Sequence, residues 1–344
     1  MLIYWVLFAY FAAGASIERP EPRRSDPALW FGGLLIALLI GLRYQVGADW
    51  RPYVDMWQLA GRISFSQAAT LSDPGYFVLN WVVQSLGGDL WIVNLVCGSI
   101  FAFGVIRFAR TQERPWLTVL VAVPYLIIVV AMGYTRQSVA IGIILAGLAS
   151  YFKHRSLLKL AAYFLVASLF HKTAVIAFPL ICIGSGRGVF LSALFASAIT
   201  YAMYAYFLSS SVDRLVSNYI GLAYAAQGAA IRVAMSVLPA ILFFLNRQNL
   251  GFSDVQRSVW RNFAVAAFAA LALLFVLPSS AVVDRIALYV IPLQLAVLSR
   301  AWKGKLTDGL GVAAIIAYSA LILFAWLNFA IHARFWVPYQ FWQF

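Results

Sequence analysis

The stretch WLTVLVAVPYLIIVVAM, Trp116–Met132, decides the fold. It is long, apolar and free of charge, and a soluble domain has no place for such a run on its surface. Inside lipid, every backbone N–H and C=O must be satisfied within its own segment, so the run reads as a helix crossing a membrane. Similar runs recur outward in both directions, at Ile141–Tyr151, Val259–Leu277 and Leu310–Phe329. Over all 344 residues, 63% are hydrophobic and 11% charged, far from the balance of a soluble domain. The fold class is therefore an all-α polytopic integral membrane protein. The first run, Leu2–Ala15, has no basic residue ahead of it and meets Glu18–Pro22 rather than a cleavage site, so it reads as a retained span.

The formal net charge is +13, yet the basic residues punctuate the apolar runs instead of forming the stripe a nucleic acid would need. They cluster at Arg19/Arg23/Arg24, Arg107/Arg110/Arg114, Lys153/Arg155/Lys159, Arg247/Arg257/Arg261 and Arg300/Lys303/Lys305. Short basic loops mark the cytoplasmic side, which puts the amino terminus outside. About 12 transmembrane helices follow, near 2–16, 28–42, 90–107, 115–132, 134–152, 157–171, 173–184, 188–208, 231–246, 259–277, 285–299 and 309–330. Residues 43–89 form an external segment within one domain covering 1–344. Inside it, Tyr76–Leu86 is half the length of a span and reads as re-entrant or interfacial. Cys97 and Cys182 both fall in apolar runs and read as buried thiols.

Basic residues left on the outer side work against the topology bias and are candidates for function. Four polar constellations fall there. GLRYQVGADWRPY (Gly41–Tyr53) places Arg43, a glycine turn, Asp49 and Tyr53 in quick succession; its Trp50, Tyr53 and Trp57 also suit an interfacial aromatic belt. Gly133–Gln137 puts Arg136 and Gln137 at the start of a span, where an arginine also has the option of snorkelling. Ala140, Gly142 and Gly147 behind them permit close helix packing. Phe170–Thr173 breaks two apolar helices with His171 and Lys172; a lone histidine is as often a structural hydrogen-bond partner as a base working near pH 7. Asp284–Tyr289 carries Asp284, Arg285 and Tyr289, where Asp284 and Arg285 also suit a local ion pair at a helix end. Arg232 is a weaker candidate on the same side.

Together these residues describe a cationic pocket at the outer membrane–water boundary, and several guanidinium groups suit the oxygens of a phosphate. The external carboxylates show no spacing that suggests a metal site. A lipid-linked diphosphate fits, with its head at that depth and its tail in the bilayer.

At these residues the chain resembles the EpsG family of Wzy-like exopolysaccharide polymerases. The likeness lies in G-L-R-Y-x-V-G-x-D at Gly41–Asp49, Y-x-R-Q at Tyr134–Gln137, F-H at Phe170–His171, D-R-I-x-L-Y at Asp284–Tyr289, and Pro338-Tyr339. The resemblance implies a GT-C-like, metal-independent, inverting glycosyltransferase without a cofactor, at the periplasmic face of the bacterial inner membrane. Its donor and acceptor are oligosaccharide repeat units on polyprenyl diphosphate, and it works among membrane lipids beside chain-length and export machinery, with no nucleic acid. Under it, Asp49 or His171 is the base. Arg43, Arg136 and Arg285 hold the diphosphate, oriented by Lys172, Gln137, Tyr53 and Tyr289, with Asp284 and Arg232 beside them. A transporter or flippase for the same lipid-linked glycans also needs a cationic cavity, but calls for charges at mid-membrane depth or repeated broken helices.

Overall fold

The structure is a computed structural model, described here for residues 1–18, 26–183, 189–207, 228–277, 279–300 and 308–343. Among these residues the chain is helical, with no strand beyond a single bridge between Arg43 and Phe341. Helices occupy each of the twelve expected positions. They are α1 (Leu2–Ile17), α2 (Pro27–Gly41), α6 (Leu90–Ala109), α7 (Pro115–Gly133), α8 (Thr135–His154) and α9 (Leu157–Phe170), then α10 (Lys172–Cys182), α11 (Val189–Phe207), α12 (Ala229–Asn246), α13 (Asp254–Val276), α14 (Ser280–Leu298) and α15 (Asp308–Phe329). Six of the described helices, α6, α7, α12, α13, α14 and α15, are long and apolar enough to cross a membrane. α1, α2, α9 and α10 are apolar but shorter. α8 is 20 residues long, but it opens on Thr-Arg-Gln-Ser and closes on Lys-His.

Local chemistry sets many of the boundaries. Pro27, Pro74 and Pro115 each stand in the first turn of a helix, where the missing N–H costs nothing. Asp26 and Asp89 accept from the backbone N–H of Leu29 and Leu90. Ser64/Gln67 and Ser253/Gln256 form capping boxes, satisfying donors that a helix start leaves open.

α7 is the pillar of the bundle and is buried along its whole length. Its middle, Val123–Val130, widens into a π-helix at Pro124, which lacks the N–H that a regular turn would use. The Trp336 indole, arriving from the far end of the chain, donates to the Ile128 carbonyl of that wide turn at 2.8 Å. α6 lies against α8 through Gly104 and Gly142. A Cβ on Gly104 would stand 1.9 Å from the Gly142 carbonyl oxygen, and one on Gly142 would stand 2.7 Å from Phe101 Cα. The small residues of α8 therefore do permit close packing, as glycine does between membrane helices.

The segment expected to lie outside, residues 43–89, holds three short helices: α3 (Trp50–Ala60), α4 (Phe65–Thr70) and α5 (Pro74–Ser85). α5 covers the expected half-length piece, and its 12 residues rise about 18 Å, well short of a bilayer. It packs on α3, α6 and α9 and buries Tyr76, Phe77, Asn80 and Val83.

The two ends of the bundle differ in chemistry. At one end, Arg300 donates to the Leu250 and Gly251 carbonyls and to Gln112, lies 3.5 Å from Glu113 and covers the Phe252 ring. Arg155 reaches Ser253 at this same end. The clusters around Arg110, Lys153, Arg257 and Arg300 thus share a side, while Arg19, Arg23, Arg24, Lys303 and Lys305 lie outside the described residues. The four constellations gather at the other end, where α8 begins with Arg136, about 30 Å from its basic carboxyl end.

Candidate functional site

Asp73 is the hub of that end. Its carboxylate accepts from Arg136 Nη1 at 2.6 Å and from the backbone N–H of Lys172 at 3.0 Å, and lies 3.5 Å from His171 Nδ1. It stands one residue before the proline that starts α5, with φ at +59°. That left-handed conformation is uncommon for a non-glycine residue and recurs at functional sites. An aspartate before a helix usually caps it, but Asp73 makes no side-chain bond to α5; the twisted backbone turns the carboxylate toward α8 and α10 instead. Burial raises its pKa, but His171, Arg136 and the Lys172 N–H outweigh that and hold it below the ordinary carboxylate value.

Asp49 stands beside this hub. It precedes α3 without bonding its first turn, and its carboxylate lies 3.7 Å from Arg285 Nη2. Both side chains are about one-third exposed, at 32% and 39%. Burial pushes the Asp49 pKa up, and Arg285 and Arg136 only partly counter it. The Arg285 guanidinium lies over the Tyr134 ring, 3.8 Å from its centroid, a cation–π contact that fixes its plane. Gln137 donates to the Arg285 carbonyl at 2.7 Å. The Tyr53 hydroxyl accepts from the Arg136 backbone N–H at 3.4 Å, and the Tyr289 and Thr173 hydroxyls bond at 3.0 Å. Tyr53, Gln137 and Tyr289 are therefore buried supports behind the accessible groups.

Two of the expected binding residues sit differently from the sequence reading. Arg43 is fully buried. Its guanidinium donates to the Ile40 and Val46 carbonyls, to Asn94 at 3.2 Å and to Thr135 at 2.7 Å. A buried guanidinium must spend its donors on fixed acceptors, so Arg43 ties the 42–47 loop to α6 and α8 and does not open to solvent. Asp284 makes no local pair with Arg285; it takes Arg232 in a two-pronged contact at 2.6 and 3.0 Å. That frees the Asp284–Arg285 junction to point two ways, Asp284 toward α12 and Arg285 toward Asp49.

The sequence reading does not single out Asp73 from the other carboxylates. Its signal was the Asp-Pro pair opening an apolar segment too short to span. Thr135 and Asn94, the side-chain acceptors for Arg43, gave no signal, because an isolated polar residue in an apolar helix has many structural uses. Among the described residues no three His, Cys, Asp or Glu side chains come together as metal ligands would.

What gathers here is a carboxylate about one-third exposed, a histidine 3.5 Å from a second carboxylate, and two partly exposed guanidinium groups, Arg136 and Arg285. Such a set can take a proton from a hydroxyl and neutralise a departing anion side by side. In comparison with known proteins, the family model described as the EpsG family matches residues 29–341. No curated protein and no solved structure matches the chain.

Proposed function

Because the chain belongs to the EpsG family, we propose that it is a polysaccharide polymerase. In this reading it joins oligosaccharide repeat units carried on polyprenyl diphosphate. An acceptor hydroxyl oxygen attacks the anomeric carbon of the donor sugar and forms the new glycosidic bond. The bond from that carbon to the diphosphate breaks, its electron pair leaves with the lipid diphosphate, and the hydroxyl proton passes to a base. A single displacement inverts the anomeric centre.

The observation that carries this reading is the placement of Asp49 against Arg285, next to Arg136, Asp73 and His171. Asp49 is the base, since its proton affinity is raised and its carboxylate is open to an incoming hydroxyl. His171, backed by Asp73, is the second candidate. Arg136 and Arg285, with Lys172, hold the diphosphate, and several charge-assisted contacts suit its oxygens. Arg43 and the Arg232–Asp284 pair act one layer back, fixing the loop and helix ends that present these groups.

The finer topology belongs to the same proposal: twelve spans in one domain over 1–344, the site facing the periplasm, and the residue 43–89 segment outside the bilayer. The GT-C-like architecture rests on the family resemblance alone. Chain-length and export proteins as partners rest on it too.

Incubating the purified protein with one synthetic lipid-linked repeat unit, with chelator and no added metal, tests the activity. A ladder of multiples of the unit is expected. Absence of a ladder together with passage of the unit across a liposome bilayer would replace this reading with transport.

A further inference from the structure

One feature at this end has no part in proton transfer or anion binding. Tyr44, Trp50 and Trp342 meet there, with ring centroids 5.8 Å (Tyr44–Trp50), 5.3 Å (Tyr44–Trp342) and 6.2 Å (Trp50–Trp342) apart. All three side chains are half-buried. Trp342 comes from the opposite end of the sequence and is held by backbone pairing. Its N–H donates to the Leu42 carbonyl at 2.7 Å, the Tyr44 N–H donates to the Gln340 carbonyl at 2.8 Å, and Phe341 bridges to Arg43. The buried Arg43 guanidinium clamps the same loop from behind. An aromatic belt needs rings only at the right depth; it does not need three of them locked together by a backbone pairing.

Position gives the cluster a use. Trp50 directly follows Asp49 in the chain, and the Asp49 carboxylate lies 3.7 Å from Arg285 Nη2. The ring cluster is thus joined through one peptide bond to the carboxylate that meets Arg285. We propose that Tyr44, Trp50 and Trp342 form a carbohydrate platform that seats the acceptor sugar beside Asp49, an inference that rests on the polymerase reading. The C–H face of a pyranose is apolar and carries its partial positive charge outward, which suits the negative face of an aromatic ring. The anionic diphosphate has no attraction to those faces and is drawn to Arg136 and Arg285. The division gives acceptor sugar and leaving group different side chains to bind. It also explains why a terminal segment is paired so firmly to a loop it follows only at the end of the chain.

The test uses full-length protein in nanodiscs carrying fluorotryptophan, with Trp50→Phe and Trp342→Phe variants assigning those two fluorine resonances. The probe is a set of oligosaccharides released by mild acid from the exopolysaccharide of the strain that encodes the chain. Both resonances are expected to shift on titration, and Trp342→Ala is expected to weaken binding about five- to tenfold while Trp342→Phe retains most of it. Unmoved resonances at saturating oligosaccharide overturn the platform. So does a response only to paramagnetic lipid headgroups, which would make the cluster an interfacial anchor. The wild-type readout stands even where Trp342→Ala fails to fold. A ladder formed by wild-type protein with unmoved resonances would leave the polymerase standing and remove the platform. Shifted resonances with no ladder would leave sugar binding at the cluster standing but remove the polymerase and, with it, the acceptor role.

Discussion

Asp73→Asn keeps the size of the side chain and removes its charge, leaving Arg136 without its ion-pair partner and His171 without the neighbouring acid. Polymer formation is expected to fall about 10²-fold or more, measured as ladder yield at equal protein level. The pH dependence of stability has a fixed sign. The folded pKa of Asp73 lies below its ordinary value, so its contribution is present above about 3.9, the unfolded value, and is lost as pH falls through the folded one. The thermal-melting difference between wild type and Asp73→Asn is therefore expected to be full near neutral pH and to close in strong acid. Asp49 has the opposite sign. Burial raises its pKa above its ordinary value, only partly countered by Arg285 and Arg136, so as a base it gains activity as pH rises through that raised value. Arg285→Gln removes a cation that lowers that pKa, and the acid limb of the rate profile is expected to move to higher pH. An unmoved limb in Arg285→Gln would take the base role away from Asp49. Reading the residues alone picks out Asp49, Arg136, His171 and Arg285, which the structure brings to one end, because polar and charged residues at a membrane edge are costly and stand out. Asp73 was overlooked because an aspartate before a proline has an ordinary use as a helix cap, and only the backbone twist shows that the carboxylate turns elsewhere.

Helices bring these residues within reach through their close approaches. α6 and α8 touch backbone to backbone at Gly104 and Gly142, where any Cβ meets a carbonyl or a Cα. Gly104→Ala is expected to cost about 1–3 kcal/mol, read as a lower melting temperature in detergent, with a loss of activity because α8 carries Arg136. Gly87→Ala makes a useful contrast: a Cβ there meets nothing within 4 Å. Its φ of +73° confines the cost to backbone strain at the end of α5, about 1 kcal/mol. Element positions were legible from the apolar runs, since lipid leaves a long apolar segment little but the helix. Lengths were less so. The π-helical turn at Pro124 depends on a donor from a distant segment, the Trp336 indole at the Ile128 carbonyl.

For the molecule as a whole, the separation of a basic end from the Asp49–Asp73 end makes orientation measurable. Cys97 and Cys182 are buried, so single cysteines placed at Arg62 and Arg155 report the two sides. A membrane-impermeant thiol reagent applied to intact inner-membrane spheroplasts is expected to label Arg62→Cys and spare Arg155→Cys; the reverse pattern would turn the site toward the cytoplasm. The sequence by itself determined that this chain is a helical membrane protein whose described basic clusters, around Arg110, Lys153, Arg257 and Arg300, share one end, because hydrophobicity and charge act through the solvent and need no partner residue. It also placed the four constellations at one end. Which groups pair there was a matter for the tertiary structure. Asp73 with Arg136 and His171, Asp284 with Arg232 rather than Arg285, Arg43 turned inward and Trp342 brought onto the 42–47 loop are all meetings between distant segments. Each depends on how helices pack, and a pairing that spans most of the chain leaves no local trace in the order of the residues.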